Sequence, residues 1–195
     1  MDADLEKIVS DRILPDLKKG RVDFDFKHTK AVVFWMKYLL SLFPSQASLK
    51  KILITAAYAH DWGYVGLFEG IDSNNLVEIA KQKPLHMQKG AEKIKQFLSQ
   101  DCSLFFSQEE VEMVSHLVAV HDVVEDLHTE EELFLMEADT LGMLDVKRSP
   151  PTFSKKDNEH FIKTQIYGRR IPHFMHDEAK KQALSLAKKR LAYYP

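Results

Sequence analysis

Apolar residues recur at helical spacing along nearly the whole chain, and this periodicity constrains the fold more than any other feature of the sequence. Only 7 glycines and 7 prolines interrupt the 195 residues. No stretch alternates convincingly with the period of two that is typical of a half-buried strand. Clear helical stripes run from Val32 to Phe43 and from Leu49 to Ala56. The pattern predicts an all-α protein, folded as one compact helical bundle.

Capping residues and helix breakers predict where several helices begin and end. Pro44 ends the first stripe, and Ser48 can cap the helix that follows it. Two further pairs have the spacing of a capping box: Ser107 with Glu110, and Thr129 with Glu132. Helices are also predicted over residues 86–100 and 176–190, and loops over 67–75 and 145–158.

No internal repeat, low-complexity tract or linker divides the chain. We therefore expect a single domain over residues 1–195, with a core at about 24–145 and helical extensions on both sides. A chain of this length is long enough to build a core without disulfides or structural metals.

Composition argues against several classes of function. The 45% hydrophobic and 29% charged residues are typical of a globular protein, and the net charge of −2 gives no reason to expect binding to nucleic acid or membrane. The single cysteine, Cys102, excludes an internal disulfide framework. The first residues lack a signal-peptide pattern, and no apolar run approaches the roughly 18 residues of a membrane span. We expect a cytoplasmic protein, and a homodimer is left open.

Five polar side chains lie on the apolar faces of separate predicted helices: His28, His60, His86, His121 and Asp139. A single histidine on such a face is more often a hydrogen-bonded core residue than a metal ligand. A buried carboxylate needs a cation, hydrogen-bond donors or water. Convergence of these groups predicts a metal site in the centre of the bundle. Mixed imidazole and carboxylate ligation favours Mn, Fe, Co, Ni or Zn over Ca or Mg, with one or two ions per chain.

The order His28, His60-Asp61, Asp139 resembles the H…HD…D signature of the HD-domain metal-dependent phosphohydrolases. The segment "AAYAHDWG" (56–63) is similar to the family's apolar helix that ends in HD and a glycine. "MEADTLGMLD" (136–145) is similar to the helix that delivers the last aspartate. "PLHMQKGAEKI" (84–94) and the later His121 resemble the six-ligand subset with two adjacent metals, as in HD-GYP proteins and bacterial diadenosine tetraphosphatases.

The resemblance implies a hydrolase that cleaves a phosphate ester or anhydride of a nucleotide or related phosphorylated metabolite, using metal-activated hydroxide. We expect His60 and Asp61 to carry catalysis, with Asp61 positioned to bridge two metals. His86 and His121 would complete a second metal, or contact the phosphate directly if only one metal binds. The implied metal ligands are His28, His60, Asp61, His86, His121 and Asp139. An HD-fold di-iron oxygenase and a non-catalytic nucleotide-sensing module are the alternatives.

The fifth ligand is open between two histidines of one predicted helix, His116 and His121. His116 shares its side with Glu109 and Glu112, whereas His121 continues an apolar stripe. We therefore favour His121, which leaves Asp122 at the rim of the site.

The substrate-binding residues are less well defined. Tyr64 stands where many family members have the lysine of HDxGK, and the GYP element is absent. Lys89, one turn after His86, is the best-placed phosphate-binding candidate, together with Tyr64. Weaker candidates are the loop cations Lys147, Arg148, Arg169 and Arg170, and, as general acids, Glu69 and Asp72.

Overall fold

The computed structural model describes residues 1–21, 24–43 and 49–194. In these residues the α-helices are α1 (Ala3–Leu17), α2 (Asp25–Leu42), α3 (Lys50–Ala59), α4 (Leu76–Asp101), α5 (Gln108–Val120), α6 (Glu130–Leu144), α7 (Lys155–Phe161) and α8 (Asp177–Leu191). A π-helix, Ile162–Arg170, continues α7, and short 3-10 turns lie at Trp62–Tyr64, Val124–Asp126 and Ile171–His173. The same residues contain no β-strand, so the all-α prediction is confirmed.

Helix α3 is the centre of the bundle, and every residue from Ile52 to Ala59 is buried. It contacts α2, α5 and α6, while α1 covers another side of it and α8 packs against α6. Helices α2 and α6 approach closely at Gly142, where a Cβ would lie 2.8 Å from the backbone nitrogen of Val32. Glycine therefore allows the two helices that flank the site to pack backbone against backbone.

Both predicted capping boxes are present. The hydroxyls of Ser107 and Thr129 accept backbone N–H groups, and the carboxylates of Glu110 and Glu132 accept the N–H groups of the two capping residues. Each box satisfies otherwise unpaired donors at the start of its helix. The predicted boundaries at Pro44 and Ser48 lie outside the described residues.

Two predicted boundaries are wrong. Helix α4 begins at Leu76, well before residue 86, because the Asn75 side chain caps it and the helix tolerates Pro84 in its interior. The predicted loop 145–158 is helical at its end, because Ser154 caps α7. No helix in the described part of the chain is long and apolar enough to span a bilayer.

Candidate metal centre

Five helices bring the six predicted ligands together. His28 comes from α2, His60 and Asp61 from the end of α3, and the other three from α4, α5 and α6. All six are at most 4% exposed. Their donor atoms form two groups, each with its atoms within 4.8 Å of one another: His28, His60 and Asp139, and Asp61, His86 and His121. Either group could hold a metal ion.

Two of the histidines are oriented by the carbonyl groups of their own helices. His60 Nδ1 lies 2.9 Å from the Ala57 oxygen, and His121 Nδ1 lies 2.8 Å from the Val118 oxygen. Since a carbonyl only accepts, each Nδ1 carries a proton and donates it. In the neutral ring this leaves the Nε2 lone pair directed into the site, which is the tautomer that a metal requires.

His28 and His86 each lie beside one of these two histidines. His28 Nε2 lies 3.2 Å from His60 Nε2, and His86 Nε2 lies 3.3 Å from His121 Nε2. His28 Nε2 is also 2.9 Å from Asp139 Oδ1. Nitrogen atoms thus converge in pairs, one pair in each donor group.

Asp61 faces both donor groups with different oxygen atoms. Its Oδ2 lies 3.4 Å from His60 Nε2 and 3.6 Å from His28 Nε2. Its Oδ1 lies 3.6 Å from His86 Nε2 and 3.8 Å from His121 Nε2. This is the arrangement of a carboxylate that can offer one oxygen to each of two adjacent ions.

The turn after Asp61 fits tightly against α4. A Cβ at Gly63 would lie 1.8 Å from the carbonyl oxygen of His86, so only glycine permits this approach. The Tyr64 ring then stacks on the His86 imidazole, with centroids 3.9 Å apart and planes 5° from parallel. The Arg21 guanidinium lies 4.3 Å from the centre of the Tyr64 ring. Tyr64 therefore fixes the orientation of His86, and it also lines the adjoining cavity.

Buried arginines hold the two carboxylates of the site. Arg21 Nη2 donates to Asp61 Oδ2 at 3.0 Å, and its Nε donates to Asp25 at 2.6 Å. Arg170, on the π-helix, donates to Asp139 Oδ2 at 2.7 Å. No sequence pattern indicates the role of Arg21, and the sequence predicts Arg170 as a loop cation that contacts phosphate. The predicted loop position of Arg170 is wrong, because the residue ends the π-helix and is only 3% exposed.

Burial and neighbouring charges together set the pKa values in the site. Burial disfavours the imidazolium, yet the Asp61 carboxylate outweighs this and raises the pKa of His60 to about 9. Burial, together with repulsion from His121, lowers the pKa of His86 to about 3 and keeps that ring neutral. Burial alone would raise the pKa values of Asp61 and Asp139. Neighbouring cations, above all His60 for the first and Arg170 for the second, instead hold both below their usual range.

These observations fit a metal ion. Imidazole nitrogens at fixed orientations converge with ionised carboxylates in a buried site. The carboxylate and carbonyl partners behind the donors are the outer contacts that orient metal ligands in proteins.

A cavity of about 540 Å³ opens onto the donor groups, within the range of about 300–1,000 Å³ typical of small-molecule sites. His28, Asp61, His121 and Asp139 are among the buried residues that line it. The residues that line it include Lys83 but not the predicted Lys89, which is exposed elsewhere on α4. Neither Glu69 nor Asp72 is among the described residues that line it.

The structure separates the alternatives on α5. His116 Nε2 pairs with Glu132 at 2.6 Å, on a side chain that is 56% exposed, and it lies outside both donor groups. Asp122 is buried in the cavity wall, where it pairs with Arg170 and Lys83. Of the other loop cations, Arg148 pairs with Asp145, and Arg169 is helical rather than in a loop and pairs with Glu125.

Comparison with known proteins assigns no family: searches of protein-family models, curated proteins and solved structures return no match to the chain. The buried histidine and aspartate groups are compatible with an HD-type site. The chemistry of the site must therefore be inferred from the geometry of its donor atoms.

Proposed function

We propose that the protein is a metal-dependent phosphohydrolase that acts on a small phosphorylated metabolite, a nucleotide or related compound. The observation that carries this proposal is the position of Asp61, whose two oxygens face the histidines of both buried donor groups in the wall of a ligand-sized cavity. Two adjacent ions suit the displacement of a leaving group from phosphorus, because each can stabilise one of the exchanging oxygens. The resemblance to the HD-domain phosphohydrolases supports the same assignment.

Each donor group has a distinct role in the proposal. His28, His60 and Asp139 would hold one ion, and His86 and His121 would hold the second with the shared Asp61. The ions would supply Lewis acidity, a water of lowered pKa and neutralisation of phosphate charge. Hydrolysis consumes one water: a new P–O bond forms to its oxygen, the ester or anhydride P–O bond breaks, and the leaving oxygen takes a proton.

The outer residues keep the ligands in place for this chemistry. Arg21 and Arg170 hold the carboxylates of Asp61 and Asp139 in the ionised form and in fixed orientations. The Ala57 carbonyl holds the His60 ring so that its Nε2 faces the first donor group. Such preorganisation lowers the reorganisation needed in the transition state.

The test is metal analysis of the purified protein followed by phosphatase assays with Mn, Co, Ni and Fe across a panel of nucleotides. We expect one or two ions per chain and release of inorganic phosphate. His60→Ala and Asp139→Ala should each lose metal and activity, whereas His128→Ala, on an exposed side chain outside both groups, should keep them.

Other outcomes would replace the proposal. A protein that binds no metal under any of these conditions would exclude both enzymatic interpretations. Bound iron with oxygen consumption and no phosphate release would favour the oxygenase. Nucleotide binding without turnover would favour the sensing module.

A further inference from the structure

The cations that line the cavity differ in how firmly they are held. Arg21 is shared between Asp25 and Asp61, and Arg170 between Asp139 and Asp122. Both arginines are buried, each with two carboxylate partners that fix it in the wall. Turning either arginine toward a ligand would break two buried ion pairs, which is costly.

Arg169 is held by a two-point contact. Its Nε and Nη2 donate to the two carboxylate oxygens of Glu125 at 2.5 and 2.7 Å, and its Nη2 also donates to the backbone oxygen of Asp122 at 3.2 Å. A planar guanidinium in a fork of this kind is committed to its partner. Arg169 can support the wall, but it would lose these hydrogen bonds by moving.

Lys83 is the exception among these cavity cations. It pairs with one oxygen of Asp122, at 2.7 Å, and its side chain is 31% exposed in the cavity wall. The other oxygen of Asp122 accepts from Arg170 at 2.6 Å, so that carboxylate keeps a cationic partner if Lys83 moves. A lysine ammonium on a flexible stem can change partners at low cost. Lys83 is thus the cation that can turn to an incoming anion.

The position of Lys83 on α4 supports this role. It lies three residues before His86, so both project from nearly the same side of the helix toward the site. Tyr64, by contrast, is stacked between His86 and Arg21. Lys89 does not line the cavity at all.

The rest of the cavity lining has a different chemistry. It is mostly apolar, with Leu76, Val77, Ile79, Met143, Phe153 and Phe161 from the start of α4, from α6 and from the α7 region, and with the polar side chains of His160, Thr164 and Gln165 beside them. Lys83, Arg169, Arg170 and Arg21 are the Lys and Arg residues among the described lining residues, and all four are paired with carboxylates. A chain of several phosphates would have to place negative charge along this mostly apolar wall, which disfavours charge.

The geometry points to a phosphate monoester as the substrate class: Lys83 contacts its single phosphoryl group beside the metal centre, and the apolar wall packs on an uncharged organic leaving group. This inference rests on the proposed phosphohydrolase function. It names Lys83 as a substrate-binding residue in place of Lys89 and Tyr64. Asp122 is a positioning residue that holds Lys83 ready at the wall.

The phosphate contact is tested by binding rather than by turnover. Inorganic phosphate is titrated by calorimetry into the manganese-loaded protein and into Lys83→Met, Lys89→Met and Lys81→Met. Lys81 is the matched control, since it is exposed on the same helix and pairs with Glu78. We expect Lys83→Met to weaken phosphate binding by about ten- to a hundredfold, the value of a charge-assisted hydrogen bond, and Lys81→Met to leave it unchanged. Metal content and melting temperature verify that each variant is folded.

The substrate class is tested by turnover. The ratio kcat/KM is compared for 4-nitrophenyl phosphate, a nucleoside monophosphate, and the di- and triphosphates of the same nucleoside. We expect the monoesters to exceed the triphosphate by at least about tenfold, since each further unpaired charge would lie against apolar surface. A preference for the triphosphate would overturn the inference.

The remaining outcomes separate this inference from the function on which it rests. Phosphate binding that depends on Lys83 in a protein without hydrolytic activity would leave the phosphate site standing and remove the phosphohydrolase function. Hydrolysis with Lys83→Met equal to Lys81→Met would keep the function and overturn the role of Lys83. Wild-type protein that fails to bind phosphate when loaded with manganese, or a loss in Lys89→Met instead, would also overturn it.

Discussion

Two histidine-aspartate pairs look alike in the sequence but have different roles in the structure. His60-Asp61 follows α3 and His121-Asp122 follows α5, and in both pairs the histidine occupies the C-cap position. Both histidines donate from Nδ1 to the carbonyl three residues earlier, and both direct Nε2 into the site. The orientation of each histidine is therefore a local property of a helix end.

The aspartates differ because different elements face them. Asp61 faces the histidines of both donor groups and is held from outside by Arg21. Asp122 faces the π-helix and α4, where it pairs with Arg170 and Lys83. The comparison shows that the local sequence orients the imidazole, whereas the tertiary partners decide whether the carboxylate can serve as a ligand or as an anchor for cations.

Replacing the first aspartate should have the largest effect. Asp61→Asn removes the charge that both donor groups share, so the metal affinity should fall by more than the roughly 10–100-fold that loss of a ligand's outer partner costs. Hydrolysis should be lost with it. Metal per chain, measured by mass spectrometry after dialysis, tests this. Asp61→Asn protein with a full metal complement would show that Asp61 is not a bridging ligand.

The same replacement in the second pair should have a smaller and different effect. Asp122→Asn should keep the metal, because Asp122 lies outside both donor groups. It should lower hydrolysis about 10–100-fold, because it releases Lys83 and removes one of the two carboxylate partners of Arg170. The free energy of unfolding should fall by less than the about 3–5 kcal/mol of a fully broken buried pair, since Arg170 keeps Asp139. Metal analysis, steady-state kinetics and urea unfolding measure the three effects. If Asp122→Asn lost metal as completely as Asp61→Asn, the two pairs would have the same role.

The comparison also shows which features the sequence could predict. Five of the six donors were predictable from their helical spacing to the apolar residues of their own helices, and Asp61 from the resemblance to the HD motif. The two capping boxes were predictable from residue type and spacing. The two arginines that hold the carboxylates of the site could not be predicted. Arg170 meets Asp139 and Asp122 across 31 and 48 residues of chain, and Arg21 meets Asp61 across 40. Such pairs depend on how the helices pack, and the π-helix that presents Arg170 has no clear signature in its residue types.

His116, also on α5, lies outside the site, and we expect the smallest effect from removing its contact with Glu132. It pairs with Glu132, whose carboxylate also accepts the backbone N–H groups of His128 and Thr129 at 2.8 and 3.0 Å. Burial alone would raise the pKa of Glu132, but these three donors lower it from 4.5 to about 2. Because the pKa is lowered in the folded state, the stabilisation is complete above about pH 4.5 and is lost as the pH falls toward 2.

Glu132→Gln should therefore lower the free energy of unfolding by about 1–3 kcal/mol at pH 7, and its difference from wild type should narrow below pH 4.5. Urea unfolding of the metal-free proteins at several pH values measures this, with Glu131→Gln in the same helical turn as the control. Metal content should stay the same as in wild type, because His116 and Glu132 lie outside both donor groups. A loss of metal in Glu132→Gln would instead indicate that His116, rather than His121, is the metal ligand on α5.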